Sequence, residues 1–369
     1  MNFIRNPFFY LPLAAVCLFA ALIGGLERMG ALRPGNSTTD LAALHGPLMA
    51  AGFLGALIAL ERAAGSRKAR AYLGPLFSGV GGLLTFVLPE EIYGRFLLMV
   101  GAMVMSGVFV FLMQIRRDLS ITMLFAGSLF LVAGNFRFLL NHPPAEIIFF
   151  WQGFLLLTIA GERMELSAFR MNSLTSRTFL IAGISIFAAG ALIHFFRYPY
   201  GSRFAGAGYL LLAIWLLRFD MAGRTIRIPG LPRYTASALI TGYFWLMISG
   251  LIFLLTEFRP AGLMYDAALH SFFLGFVFSM IFAHGPIIFP AILKYEISYR
   301  KFFYFPVVLL HISTLLRITG DFTRNVLSVR TGGILGAIAI LSFIAAMAAG
   351  AILNQKRVRQ NRSVSNENV

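Results

Sequence analysis

Apolar runs of about 20 residues, the length that crosses a ~30 Å hydrocarbon layer as a helix, recur with short polar breaks from near the N-terminus to residue 353. The runs lack the period-two alternation of barrel strands. The pattern predicts an all-α polytopic protein of twelve membrane helices, at 8–28, 41–61, 71–88, 93–115, 119–140, 145–163, 176–196, 202–218, 234–256, 266–293, 302–320 and 329–353. The first run follows Arg5 but is too long for the apolar core of a signal peptide, so it is expected to remain as a helix. No soluble domain interrupts the series. Residues 1–355 are expected to form one membrane domain, and 356–369 a basic polar cytoplasmic tail without fixed structure.

An internal period overlies these spans. "GFLGALIALER" from Gly52, "GFLLLTIAGER" from Gly153 and "GFVFSMIFAHG" from Gly275 each place Gly-Phe nine residues before a polar residue: Glu61, Glu162 and His284. The three words fall on predicted helices 2, 6 and 10, which suggests three tandem four-helix units. The plainer alternative is chance in a chain with 36 Gly and 38 Phe, with Glu-Arg marking helix ends.

Composition agrees with the membrane assignment: 58% of residues are hydrophobic and only 12% charged. The net charge of +16 raises the question of a nucleic-acid partner. With the N-terminus in the cytoplasm, most Lys and Arg lie on the cytoplasmic side, in "ERAAGSRKAR", "RFDMAGRTIRIPGLPR" and the tail. The positive-inside rule therefore accounts for the charge without nucleic acid. It predicts a multi-pass protein of the cytoplasmic (inner) membrane with both termini in the cytoplasm. The single Cys17 lies inside the first span, so any metal must be held by His, Met or carboxylate.

Function must then reside in polar residues at membrane depth. His45 lies five residues below Asp40, a candidate N-cap, and His270 four residues below Asp266, so the two histidines start their helices at nearly one depth. Such a pair can ligate one porphyrin iron from opposite sides. Asp266 is placed to accept the other ring N–H of His270. A helix-to-helix hydrogen bond is the alternative for either histidine alone.

His284 lies ~21 Å further along helix 10 than His270 and nearly on the same face. It matches His311 of helix 11 in depth. These two are candidates for a second heme or copper site, or for a polar contact in a proton path. Pro47 and Pro286, each two residues after a His, deprive the carbonyls of Ala43 and Phe282 of helical donors. Arg317 and Arg137, near outer helix ends, are candidate partners for heme propionates. Snorkelling, or an internal Arg317–Asp321 pair, is the alternative. Glu61 and Glu162, beside Arg62 and Arg163, are expected as interfacial ion pairs placed where carboxylates could feed protons inward.

Twelve helices in three units, with histidines on helices 2 and 10, resemble the heme-copper oxidase architecture, in which one His from each of those helices holds the low-spin heme. The local words are similar to those of the NnrS family, a related branch associated with heme, copper and nitric oxide stress. "LHGPLMAAGFLGALI" resembles its helix 2 segment, "GERMELSAF" the segment ending helix 6, and "LHSFFLGFVFSMIF" its helix 10 segment. The resemblance implies b-type heme on His45 and His270, with a role in nitric oxide response, gas binding or electron transfer. This chain departs from the oxidase pattern in having no His on helix 6 and His194 only at the outer end of helix 7, so the three-His copper site of the oxidases is missing, and it departs from the NnrS segment in carrying Glu162 where that family has Gly. A secondary transporter using intramembrane His and Glu, without heme, is the competing class.

Overall fold

The computed structural model of the protein describes residues 5–33, 40–171, 173–196, 200–294 and 296–367, with side chains described except at 168–169 and beyond 355. Among the described residues the secondary structure is helical throughout. The long helices are α1 Leu11–Arg28, α2 Leu41–Ser66, α3 Leu73–Val87, α4 Ile92–Ile115, α5 Leu119–Leu139, α6 Pro144–Leu166, α7 Leu174–Phe195, α8 Gly201–Phe219, α9 Leu231–Leu255, α10 Leu263–Leu293, α11 Tyr304–Thr323 and α12 Val326–Glu367. α12 carries on through the tail expected to be irregular, whose side chains lie outside the described residues.

Eleven of these helices are long and apolar enough to cross a membrane. The exception to the expected twelve is α3, whose 15 residues span only ~22 Å. It is glycine-rich and packs tightly against α4. A Cβ on Gly94 would lie 2.4 Å from the backbone nitrogen of Thr85, and one on Gly81 would lie 2.7 Å from that of Leu98, so glycine is what lets these two backbones touch.

Sequential helices pack as antiparallel neighbours, and α1 packs against α12 as well as α2. We call the end at which α2, α6 and α10 begin the upper end. α6 and α10 are the most enclosed spans, with 78% and 72% of their apolar windows buried against 28% for α7. These interior helices carry the polar residues singled out above.

Two of the helices that frame the interior are not α-helical throughout. α2 changes to π-helix over Leu48–Leu54, and α10 does the same over Ser271–Val277. Such stretches are rare and gather at functional sites. In α2 the change follows Pro47, whose missing N–H already breaks the α ladder. In α10 it follows His270 directly, with no proline nearby. Asp40 caps α2 as expected, its Oδ1 accepting from the Ala43 N–H at 3.0 Å. Asp266 does not cap α10. Gly262 is the N-cap, and Asp266 sits one turn inside, free to act through its side chain.

The proline at 286 leaves α10 α-helical, because its orphaned carbonyl finds another donor. The Tyr234 hydroxyl of α9 donates to Phe282 O at 2.9 Å, and the Thr235 hydroxyl donates to Ala283 O at 3.1 Å. Tyr234→Phe leaves a buried carbonyl short of a donor. It is expected to lower stability by about 1–3 kcal/mol, measurable as a lower unfolding midpoint in detergent; an unchanged midpoint would mean that the carbonyl is satisfied otherwise.

A candidate cofactor cavity and two classes of histidine

Near the upper end, α1, α2, α6, α10, α11 and α12 enclose a cavity of about 370 Å³, within the ~300–1,000 Å³ typical of cofactor sites. Its wall is mainly apolar, with Met49, Ile148, Trp151, Phe273 and Phe278 among the lining residues. The polar groups that reach it include His45, His270, Asp266, Arg28 and Arg317.

The two predicted partners meet here. The rings of His45 and His270 lie 6.4 Å apart, centre to centre, and within 16° of parallel. An ion bound at about 2 Å by two opposed imidazole nitrogens requires ring centres roughly 6–6.5 Å apart. The close seat of His45 depends on Gly25 of α1, where a Cβ would come within 2.9 Å of its Nδ1 and Cε1.

Hydrogen-bond direction fixes which nitrogen of each ring is available. A backbone carbonyl only accepts. His45 Nδ1 lies 2.6 Å from Ala21 O and His270 Nδ1 lies 2.9 Å from Asp266 O, so both rings carry the proton on Nδ1 and donate it there. The Asp266 carboxylate, 3.3 Å from His270 Nδ1, reinforces this orientation. The lone pair on each Nε2 has no protein partner among the described residues. This is how protein groups set the tautomer of a ligating histidine.

His284 and His311 obey the opposite logic. Guanidinium groups only donate, and Arg163 Nη1 lies 2.9 Å from His284 Nε2, while His284 Nδ1 donates to Met280 O at 2.8 Å. His284 is therefore neutral, with its lone pair taken by Arg163. In His311, Nδ1 accepts from the Trp245 indole N–H at 3.0 Å, which leaves Nε2–H to donate to the Thr241 hydroxyl at 2.8 Å. No contact joins the two rings among the described residues, and neither has a free donor pair. The expectation that they share a second heme or copper does not fit this arrangement: His284 lies at the level of Tyr234 and Thr235 of α9, whereas His311 meets Thr241 and Trp245 higher on that helix, so the rings differ in depth as well as in neighbours.

The arginines also need correction. Arg317 grips Asp266 with two bonds, Nε to Oδ2 at 3.0 Å and Nη2 to Oδ1 at 3.1 Å, rather than pairing with Asp321. It does line the cavity. Arg137 does not: it is held by Glu146 at 3.2 Å and His142 at 3.0 Å, over the Phe195 ring. Arg28, which the sequence did not single out, reaches the cavity from the end of α1 and makes no hydrogen bond among the described residues. Its signal was available, as a basic residue closing a span at the histidines' depth.

At the lower end, the three residues marked by the internal period come together. Glu61 of α2, Glu162 of α6 and His284 of α10 line one pocket of about 80 Å³. Arg62 bonds to both Glu61 and Glu162. Arg163 forms a two-point pair with Asp220, at 2.6 and 2.9 Å, besides its bond to His284. Asp220, buried after the end of α8, was also missed, since it lies in a connection taken only as a basic loop. Among the described residues no group of three or more His, Cys, Asp or Glu side chains is gathered to hold a metal ion.

No curated protein matches the sequence. A family model matches residues 6–352, nearly the whole membrane domain, and the chain belongs to that family, described as a domain of unknown function, DUF8744.

Proposed function

We propose that the protein is an integral membrane heme protein in which His45 and His270 are the axial ligands of a b-type heme in the upper cavity. The observation that carries this reading is the pair of parallel rings, each with Nδ1 tied to a carbonyl and Nε2 free. A two-donor set suits heme, whose porphyrin brings the remaining four nitrogens, better than copper held by side chains alone. Heme would supply a redox-active iron that also binds a diatomic gas such as nitric oxide if one ligand leaves.

The chain's own residues would do the rest. Asp266 orients His270 and holds Arg317 against the cavity. Arg28 offers a cation without a partner among the described residues for a propionate, and Arg317 a second positive charge. The apolar wall keeps the site dry, which raises the cost of charge there and so tunes the potential.

The arrangement as three four-helix units, similar to heme-copper oxidases and the NnrS branch, is supported by the meeting of α2, α6 and α10 at residues of matching position. Under the positive-inside rule the cavity faces the outer side of a cytoplasmic membrane, with both termini inside. The transporter alternative would draw on the lower pocket, whose charges are largely bound to one another. The test is the absorption spectrum of full-length protein purified from heme-replete cells. A Soret band with sharp α and β bands on reduction is expected, and a colourless preparation that takes up no added hemin would overturn the reading.

A further inference from the structure

The lower pocket has its own chemistry, independent of any heme. Its polar lining consists of the Glu61 and Glu162 carboxylates, the His284 ring and the Thr158 hydroxyl, and the rest is apolar, including Leu57, Leu155 and Ile281. At about 80 Å³ it has room for two or three water molecules.

The charges around it do not balance. On α6, Arg163 is matched by Asp220, and His284 accepts from Arg163 as a neutral ring. Also on α6, Glu165 shares Arg116 with Asp118, at 3.0 and 2.8 Å, outside the pocket lining and at the exposed end of the helix. Tyr243 of α9 is fully buried near the Arg163–Asp220 pair and adds no cation to the pocket. That leaves Glu61 and Glu162 on the single guanidinium of Arg62, two negative charges against one positive. With the Glu61 and Glu162 side chains 25% and 18% exposed, the excess charge is only partly hydrated and so carries a cost. Two carboxylates facing one site relieve it by keeping one proton between them.

A second observation points into the same space. Thr158 is 2% exposed, lines the pocket, and has no hydrogen-bond partner among the described residues. A buried hydroxyl in that position is suited to water or to a protonated carboxyl.

We propose that this pocket is a proton-binding site: one exchangeable proton is held jointly by Glu61 and Glu162, with water beside Thr158 as its route in and out. A proton is favoured over a metal cation because too few acidic or histidine ligands converge there, while a single added positive charge restores neutrality. The α2–α6–α10 contact is thus a place where the membrane domain takes up and releases protons at its lower face.

Infrared difference spectroscopy during pH titration of the full-length protein in lipid tests this. The wild type is expected to show a protonated-carboxyl C=O band at neutral pH that both Glu61→Gln and Glu162→Gln remove, because either carboxylate left alone with Arg62 stays ionised. Both replacements keep the size and hydrogen-bonding capacity of the side chain, and monodispersity on gel filtration verifies the fold. Absence of the band in the wild type, its survival in either variant, or its loss on adding sodium at fixed pH would overturn the assignment, the last in favour of a cation site.

Discussion

His45→Ala and His270→Ala are each expected to abolish the bis-histidine spectrum, lowering bound heme at least tenfold relative to the wild type, with neither variant retaining sharp reduced bands. Under the proposed assignment both are necessary, since each ring offers one lone pair without a partner among the described residues and the ring centres, 6.4 Å apart, suit one bound ion. Asp266→Ala removes only the support of one proposed ligand and the anchor of Arg317. Losses of about 10–100-fold in metal affinity are typical for such supporting residues, so weaker heme retention with an intact spectral form is expected. His284→Ala and His311→Ala should leave the spectrum unaltered. A bis-histidine spectrum persisting in His45→Ala would remove that residue from the ligand set.

The second large effect is on stability. Asp220 is 1% exposed and joins three parts of the fold: its carboxylate holds Arg163 of α6, and accepts from the Ala222 N–H at 2.6 Å, while its carbonyl accepts from Arg170 at 3.2 Å. Asp220→Ala strands the Arg163 guanidinium, itself 5% exposed, without its counter-charge. Breaking a buried pair from one side costs about 3–5 kcal/mol. The expected result is a large drop in the unfolding midpoint in detergent, partly recovered in Asp220→Asn, which keeps the acceptor oxygen. A midpoint equal to that of the wild type would show that Arg163 reaches water or another acceptor.

The helices were legible in the sequence because a buried backbone in lipid has few ways to satisfy its polar groups. Depth was legible too. Counting residues from a helix end brought His45 to His270, since 1.5 Å per residue is nearly invariant, and the nine-residue offset from the repeated Gly-Phe brought Glu61 to Glu162 and His284. Azimuth was not. His284 and His311, expected at one depth, meet Arg163 and Trp245 at different levels, and Arg317 chose Asp266 on α10 over Asp321 four residues along its own helix. Those choices depend on how neighbouring helices are rotated, which no local spacing encodes. The π-helical stretch of α10 left no composition signal at all, whereas that of α2 had Pro47 to announce it.

In an undisturbed α-helix each residue turns the path by ~100°, so fourteen steps bring His284 back almost beneath His270. The seven π-helical residues between them turn more slowly, so the lower half of α10 is set at a different angle from the upper half. His270 can then address α2 while His284 addresses α6. Ser271–Val277 works as a phase shifter between two sites on one rod. Losing a single residue there would restore the regular winding and swing one of the two histidines off its partner, so a change of length in this segment is expected to disturb both sites more than a change of its side chains.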